Sequence, residues 1–314
     1  MSRIRVLAPA RQHMGMFDLG GSLGRRFGGI GAAIDQPQVI LEAAVDQRLR
    51  VEGSDADRAQ LYAQRYLVAH GIKTGARLSI EKNIPPHVGL GSGTKLALAV
   101  AYALATLYEQ PLDPYVLAQT VGRSSRSAIG LWTFARGGFV VEGGRWTDGE
   151  DPAPLLMHYP MPATWRCVLA VPQDSPGISG ETEKEAFNQL SSPPEQAAEI
   201  AHVVLMALLP ALVEGRINEF GSALTRIERL VGESFSPIQG DNFANPQSTE
   251  LVEAMLKWGA AGAGQSSWGP TVYGLVEGQE QGKLLEAHVR SLLGDQGMVR
   301  LVEFDNDGVQ VQYL

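Results

Sequence analysis

Residues 4–8 alternate apolar and polar side chains almost from the first residue, the period of a strand with one buried face. A polar turn follows, then six glycines at positions 20, 21, 24, 28, 29 and 31, a density that no helix or ordinary strand tolerates cheaply. Strand character returns over 39–51. Residues 55–70 switch to a helical period, with Leu61, Tyr62, Tyr66 and Leu67 on one side and charges on the other. A strand over 77–80 leads through a second glycine-rich loop into 96–108, an almost wholly apolar Ala/Leu run that suits a helix buried on most of its circumference. Glycine pairs bracket a short strand at 139–142, a hairpin-like signal.

The second half predicts a strand at 166–171 and helices at 182–190, 194–209, 216–231 and 248–258. A strand at 271–276, a helix at 280–293 and two closing strands complete it. Asp305-Asn306-Asp307-Gly308, between apolar runs, reads as a hairpin turn rather than an acidic phosphoribosyl-binding signature. Residues 148–162 hold four prolines and several acids, which places a domain boundary there and divides the chain into 1–155 and 156–314. No internal repeat is present, and both halves read as α+β.

Composition narrows the class. A hydrophobic fraction of 44% supports a globular protein with a substantial core, and the net charge of −8 argues against a nucleic-acid partner. It does not argue against anionic substrates, because a local cradle of N–H groups and a few cations outweighs the global sign at short range. The single cysteine, Cys167, excludes an intrachain disulfide and any multi-cysteine metal site, and reads as a small core filler. The N-terminus has no apolar leader, and the longest apolar run, 203–213, is short for a bilayer and broken by Pro210. The expectation is a cytoplasmic protein without membrane or nucleic-acid partners.

The densest chemistry lies in Ile84-Pro85-Pro86-His87-Val88-Gly89-Leu90-Gly91-Ser92-Gly93-Thr94-Lys95, after a strand and at the opening of the apolar helix. Gly89, Gly91 and Gly93 let a ligand approach the backbone. Ser92 and Thr94 add hydroxyls, and a helix start offers unpaired N–H groups at the positive end of its dipole. Diphosphate suits such a cradle. The spacing is neither that of a P-loop nor that of a dinucleotide fingerprint. The plain alternative is a tight turn with Thr94 capping the helix.

Residues 85–94 resemble the second signature of the GHMP kinases, in which proline, three variable residues and Gly-Leu-Gly-Ser precede a helix. Residues 5–18 stand where that superfamily has its first motif. Gly262-Ala263-Gly264-Gln265-Ser266-Ser267-Trp268-Gly269-Pro270 stands at the third. The resemblance implies a two-domain GHMP fold, with an N-terminal α/β domain carrying the phosphate loop and a ferredoxin-like α+β C-terminal domain. GHMP kinases commonly carry an Asp that activates the substrate hydroxyl before a Gly-Gly strand. Here no carboxylate stands between Arg123 and Arg136, and Trp132 falls near the expected Asp. The blocks at 13–31, 91–94 and 264–270 are similar instead to the β-ribofuranosylaminobenzene 5′-phosphate synthases.

That similarity implies condensation of phosphoribosyl pyrophosphate with 4-aminobenzoate or 4-hydroxybenzoate, with loss of carbon dioxide and pyrophosphate, on the way to tetrahydromethanopterin. It also implies Mg²⁺ and a homodimer. On this reading Gly89, Leu90, Gly91, Ser92, Gly93 and Thr94 hold pyrophosphate, Ser92 is the protein group nearest Mg²⁺, and Lys95 is a phosphate counter-charge or a solvated lysine. Arg123 and Arg126, three apart, could share one helical face and grip carboxylate or phosphate, with Arg25 and Arg26 as further anion-binding candidates. His13 is a candidate proton shuttle or substrate partner, and Asp18 a candidate for stabilising the cationic sugar or capping a turn. Gln265, Ser266 and Ser267 complete the site from the third motif. The alternatives are an ATP-dependent small-molecule kinase with a displaced base and a GHMP-fold regulator that binds without turnover.

Overall fold

The computed structural model describes residues 3–123, 126–173, 177 and 180–314. Two long antiparallel strands, β1 (Arg3–Asp18) and β2 (Arg25–Asp46), carry the first half. Ile4, Val6, Ala8 and Ala10 of β1 are buried. Arg3 pairs with Glu42 of the neighbouring β2, and Arg5 reaches past β2 to Glu81 of β4 (Gly75–Lys82), so opposite charges meet across this face of the sheet. With β3 (Arg50–Gly53), β5 (Phe139–Glu142), β6 (Arg145–Trp146), β7 (Leu155–Tyr159) and the last strand, β12 (Gln310–Tyr313), they form an eight-stranded sheet. The order β12-β1-β2-β4-β3 runs across it, while β5 and β6 pair with other reaches of β2.

The first glycine stretch is strand from Arg25 onward, against expectation. A Cβ at Gly31 would lie 2.4 Å from the Gln12 carbonyl oxygen and from Ile129 Cγ2, and one at Gly29 would lie 2.6 Å from the Gly15 carbonyl oxygen. These glycines therefore mark close approach of β1 and of helix α4 (Ile129–Arg136) to β2, not a loop. A register shift between His13 and Gly15 re-aims the β1 side chains at that point.

α1 (Ala56–Ala69) and α2 (Ser92–Leu107) pack in the same core, and α2 buries a continuous block from Leu96 to Ala101, as its all-apolar sequence requires. The second sheet has β8 (Trp165–Pro172), β9 (Gly262–Gln265), β10 (Val272–Glu277) and β11 (Gly297–Glu303) in the order β11-β8-β10-β9, all antiparallel. Counted within this half, the strands lie fourth, first, third, second, the ferredoxin-like arrangement. Helices α8 (Ile217–Gln239), α9 (Pro246–Trp258) and α10 (Gln279–Leu293) accompany it. Phe220, Ala223, Leu224 and Ile227 form the buried stripe of α8 at helical spacing.

Two expectations fail for tertiary reasons, and the long apolar run stays helical with a π turn inside it. β7 pairs with β5, so a division at 155/156 falls inside a strand of the first sheet, and β12 returns from the second half to pair with β1. Residues 305–308 do not close a hairpin, because β11 and β12 belong to different sheets. Asp305 Oδ1 accepts the N–H of Asp307 at 3.1 Å and of Gly308 at 2.7 Å, an Asx turn at the crossover. The run at 194–213 divides into α6 (Pro194–Val203), a π turn (Val204–Leu208) and α7 (Leu209–Val213). By length and composition alone Pro194–Val213 is long and apolar enough to cross a membrane, yet Val203, Val204, Leu208 and Leu212 pack into the core. Cys167 is fully buried in β8, as a core filler should be.

Candidate functional site

One serine hydroxyl ties the three glycine-containing segments together. Ser266 Oγ accepts the backbone N–H of His13 at 3.0 Å and donates to the Gly89 carbonyl at 2.7 Å. Thr271 Oγ1 adds a bond to the Val88 carbonyl. Gly89 sits at φ 81, and a Cβ there would lie 2.3 Å from the Ser266 carbonyl oxygen, so the second and third segments touch backbone to backbone. Helix α2 begins at Ser92 with Gly91 as its N-cap at φ 81, and no side chain caps it. Thr94 is thus inside the helix, and the first N–H groups stay free for an anion.

A cleft of about 390 Å³ opens over this helix start. Ser92, Gly93 and Thr94 line it with four arginines, Arg11, Arg58, Arg123 and Arg126. Arg11 Nη1 donates to the Gly89 carbonyl at 2.5 Å, and the missing side chain of Gly91 makes room for it. Burial lowers the Arg11 guanidinium to about 10, which leaves it charged at neutral pH. Arg58 is anchored by Asp55 at 2.8 Å. A Cβ on Gly93 would lie 2.6 Å from Arg58 Nη2 and 3.3 Å from Arg123 Nη2, so two guanidinium groups converge on this glycine. Arg123 also reaches the Tyr62 hydroxyl.

Arg126 Nη2 meets Glu183 Oε2 at 2.6 Å, with Glu183 contributed by α5 (Gly180–Gln189). Burial raises the Glu183 carboxyl against the pull of Arg126, Arg11 and Arg123. Among the described residues that line the cleft, four guanidinium groups face one carboxylate, beside the positive helix end. Such a concentration of like charge favours a multiply charged anion. Phe187 and Trp268 give the cleft an aromatic side.

Several sequence candidates are engaged elsewhere. Arg25 donates to the carbonyls of Gly143 and Gly144, and Arg26 to those of Leu19 and Phe187, and neither lines the cleft. Asp18 Oδ1 accepts the N–H groups of Gly20 at 2.7 Å and Gly21 at 2.8 Å, which is the turn-capping role. Lys95 is fully buried and donates to Thr133 Oγ1 at 2.9 Å, and burial pushes its ammonium well below the usual range. It is neither a counter-charge in the cleft nor a solvated lysine. Leu90 is a core side chain, Ser266 is buried as the clamp described above, and Gln265 bonds Ala244 N–H and the Ser267 carbonyl. Trp132 turns away and donates to the Ala153 carbonyl at 2.9 Å. Ser267 does line the cleft.

His13 lines it too, with Nε2 3.3 Å from Ser127 Oγ. Burial and Arg11 lower its imidazole to about 3, so it is neutral and cannot be a resting proton donor of the imidazolium kind. The common helical turn expected for Arg123 and Arg126 involves Ser124 and Ser125, which lie outside the described residues. Arg11, Arg58, Ser127 and Glu183 were not among the candidates. Arg11 alone had a readable signal, since it shares a strand face with His13 two residues on.

A carboxylate from β5 is buried beneath the 127–128 backbone, outside the lining of the cleft. Glu142 is buried, accepts the N–H groups of Ala128 at 3.3 Å and Gly144 at 2.9 Å, and bonds Ser127. Burial raises it to about 7. Glu228 on α8 is raised further, to about 8, again by burial. A carboxyl raised in the folded state holds a proton that the unfolded chain gives up near 4.5, so its contribution is lost as pH rises toward 8. Glu228→Gln should therefore flatten the fall in stability between about pH 5 and 8, by on the order of 1 kcal/mol per pH unit. Melting temperature against pH reads this directly; parallel curves for variant and wild type would mean that Glu228 is ionised in the fold.

Comparisons with known proteins agree with this geometry. Residues 58–133 match the model of the GHMP kinases N terminal domain, and residues 208–294 that of the GHMP kinases C terminal. A beta-ribofuranosylphenol 5'-phosphate synthase of Archaeoglobus fulgidus is 32% identical over 98% of this chain and 99% of its own. Its namesake from Methanothermobacter thermautotrophicus is 30% identical over 87% and 88%. The crystal structure of a homoserine kinase from Cytophaga hutchinsonii superposes with a TM-score of 0.74 at 20% identity, covering 99% of this chain and 97% of the other, a likeness of fold. The chain belongs to the GHMP superfamily and, within it, to the β-ribofuranosylphenol 5′-phosphate synthase family.

Proposed function

We propose that this protein is the decarboxylating synthase that transfers a 5-phosphoribosyl group from phosphoribosyl pyrophosphate to the ring of 4-hydroxybenzoate or 4-aminobenzoate. The observation that carries the reading is the cleft itself, in which four guanidinium groups surround an uncapped helix start beside an aromatic wall. Pyrophosphate suits the Gly91–Thr94 end, where backbone N–H groups, Arg58 and Arg123 neutralise it as it leaves. Arg126 suits an anionic substrate group, the benzoate carboxylate or the ribose phosphate. Fixed cations placed before the reaction stabilise the leaving group without reorganising.

Among the described residues no cluster of His, Cys, Asp and Glu could hold a metal. The donor set therefore fits Mg²⁺ only as an ion carried largely by phosphate oxygens and water, with Ser92 the protein hydroxyl at hand. Such an ion would neutralise charge on the departing diphosphate. A homodimer and a cytoplasmic location belong to the same proposal.

The test is incubation with phosphoribosyl pyrophosphate, Mg²⁺ and carboxyl-labelled benzoates. Release of labelled carbon dioxide is expected, with no ADP formed from ATP in the presence of alcohol substrates. The kinase alternative rests on the superfamily alone, and Glu183, the carboxylate in the cleft, is held by Arg126. Alcohol-dependent ADP formation without carbon dioxide release would reverse the assignment.

A further inference from the structure

Glu228 is a carboxyl buried without a cation at the edge of the site. It lies on the core-facing side of α8, only 5% exposed, and no cation pairs with it among the described residues. Its Oε1 accepts the Tyr273 hydroxyl at 2.7 Å, and its Oε2 accepts the Gln265 N–H at 3.3 Å. Burying a carboxyl without a cation is costly, and such groups concentrate at functional sites. The surrounding backbone is built to admit it. A Cβ on Gly264 would lie 2.4 Å from Glu228 Cγ, so the second glycine of the third segment makes the space that the carboxyl fills.

That carboxyl borders a small cavity of about 20 Å³. His13, Met16 and Ser267 line both this cavity and the arginine cleft, so the cavity is a side extension of the cleft. Its volume matches one water or one small polar substituent. Val231 and Phe235 give it an apolar side, and Gly15 and Gln265 complete the lining. Phe235 stacks on Trp268 at 4.3 Å with 12° between the rings, and Phe187 meets Trp268 edge-on at 5.3 Å. A planar ring entering from the cleft beside this aromatic group would direct one small substituent toward Glu228.

We propose that Glu228 receives the hydroxyl or amino group para to the departing carboxylate of the aromatic substrate, and that it fixes both the choice of ring and the electron flow through it. This rests on the synthase reading above. In the hydroxyl case the substituent's proton passes to the Glu228 carboxylate as its O–H electron pair moves into the ring. The ring carbon bearing the carboxylate then bonds to the anomeric carbon, and pyrophosphate leaves with the C–O pair. The ring–carboxylate bond breaks, its electrons restore the aromatic ring, carbon dioxide departs and the proton returns from Glu228 to the oxygen. No proton is consumed overall.

The raised carboxyl, at about 8, lies closer to a phenol than an ordinary glutamate does, which makes the transfer less uphill. Of the groups around it, burial keeps Tyr273 and Cys167 well above that value and His13 far below it. Glu142, at about 7 and bonded to the Ser127 that meets His13, is the other carboxyl of this range, so only a pH profile that changes in Glu228→Gln assigns the titration to Glu228.

The experiment is calorimetric titration of wild type and Glu228→Gln with 4-hydroxybenzoate, benzoate and 4-methoxybenzoate. Above about pH 8, where Glu228 is ionised, wild type is expected to prefer 4-hydroxybenzoate roughly tenfold, as one hydrogen bond to a charged group implies, and the variant to lose that preference. Equal weakening for all three ligands would make Glu228 merely structural and overturn the proposal. If the variant does not fold, the wild-type series decides alone, because a flat series overturns it as well.

In turnover, kcat/KM for 4-hydroxybenzoate should fall by about 10²–10⁴ in the variant, with the KM for phosphoribosyl pyrophosphate unchanged. The rise of wild-type kcat/KM toward a plateau above about pH 8 should disappear with it. Absence of carbon dioxide release by wild type would sink the synthase reading but leave the binding preference as a separate result.

Discussion

Gly93→Val is expected to abolish turnover while the protein remains folded. The reason differs from that for its neighbours. Gly89 and Gly91 adopt φ 81, where a side chain strains the backbone, whereas Gly93 lies in the first turn of α2 with no such constraint. A Cβ there meets Arg58 Nη2 at 2.6 Å and Arg123 Nη2 at 3.3 Å, and both guanidinium groups must withdraw. The branched valine would then occupy the volume that an anion at the helix start needs. Displacing such positioning groups by about 1 Å costs on the order of 10²-fold in rate, and occlusion of the cradle adds to this. Circular dichroism and a thermal melt establish the fold, and carbon dioxide release establishes the activity. Near-normal turnover in a folded variant would place the pyrophosphate elsewhere.

Arg126→Lys should lose one to two decades in kcat/KM although the charge is kept. Lysine lacks the planar fork, and a charge-assisted hydrogen bond to a bound anion contributes about 1.5–3 kcal/mol. Arg126 is held against Glu183 at 2.6 Å and over the Phe187 ring at 5.5 Å, so its guanidinium is aimed before substrate arrives. A rise in KM confined to the benzoate marks a carboxylate contact, and one confined to phosphoribosyl pyrophosphate marks a phosphate contact. Arg126→Ala also leaves Glu183 partly buried without its partner, so Glu183→Gln is the control that separates this effect from substrate binding. Wild-type kinetics in Arg126→Ala would remove the residue from the site.

The two arginine pairs show why candidates of one chemical type divided as they did. Arg25 and Arg26 satisfy themselves on carbonyls of the folded chain, while Arg123 and Arg126 line the cleft. A guanidinium accepts either partner, and its own neighbours in sequence do not say which will stand opposite it. Lys95 is a similar case. Its position in the first turn of α2 suggested a phosphate ligand, but α4 packs Thr133 against it and closes it off.

By itself the sequence determined what depends on short-range periodicity and local turn chemistry. The helical stretches of α1, α8, α9 and α10 were legible, as were the glycine loop that opens α2, the order of the three glycine segments and the family they resemble. Only the tertiary structure decided what depends on partners far apart in the chain. It turned the first glycine stretch into strand through close approach of β1 and α4, and sent β11 and β12 to different sheets. It also brought Arg11, Arg58 and Glu183 to one cleft. Glu142 and Glu228 are ordinary glutamates in sequence. Their raised carboxyls arise from burial, and burial belongs to the whole fold rather than to any segment of it.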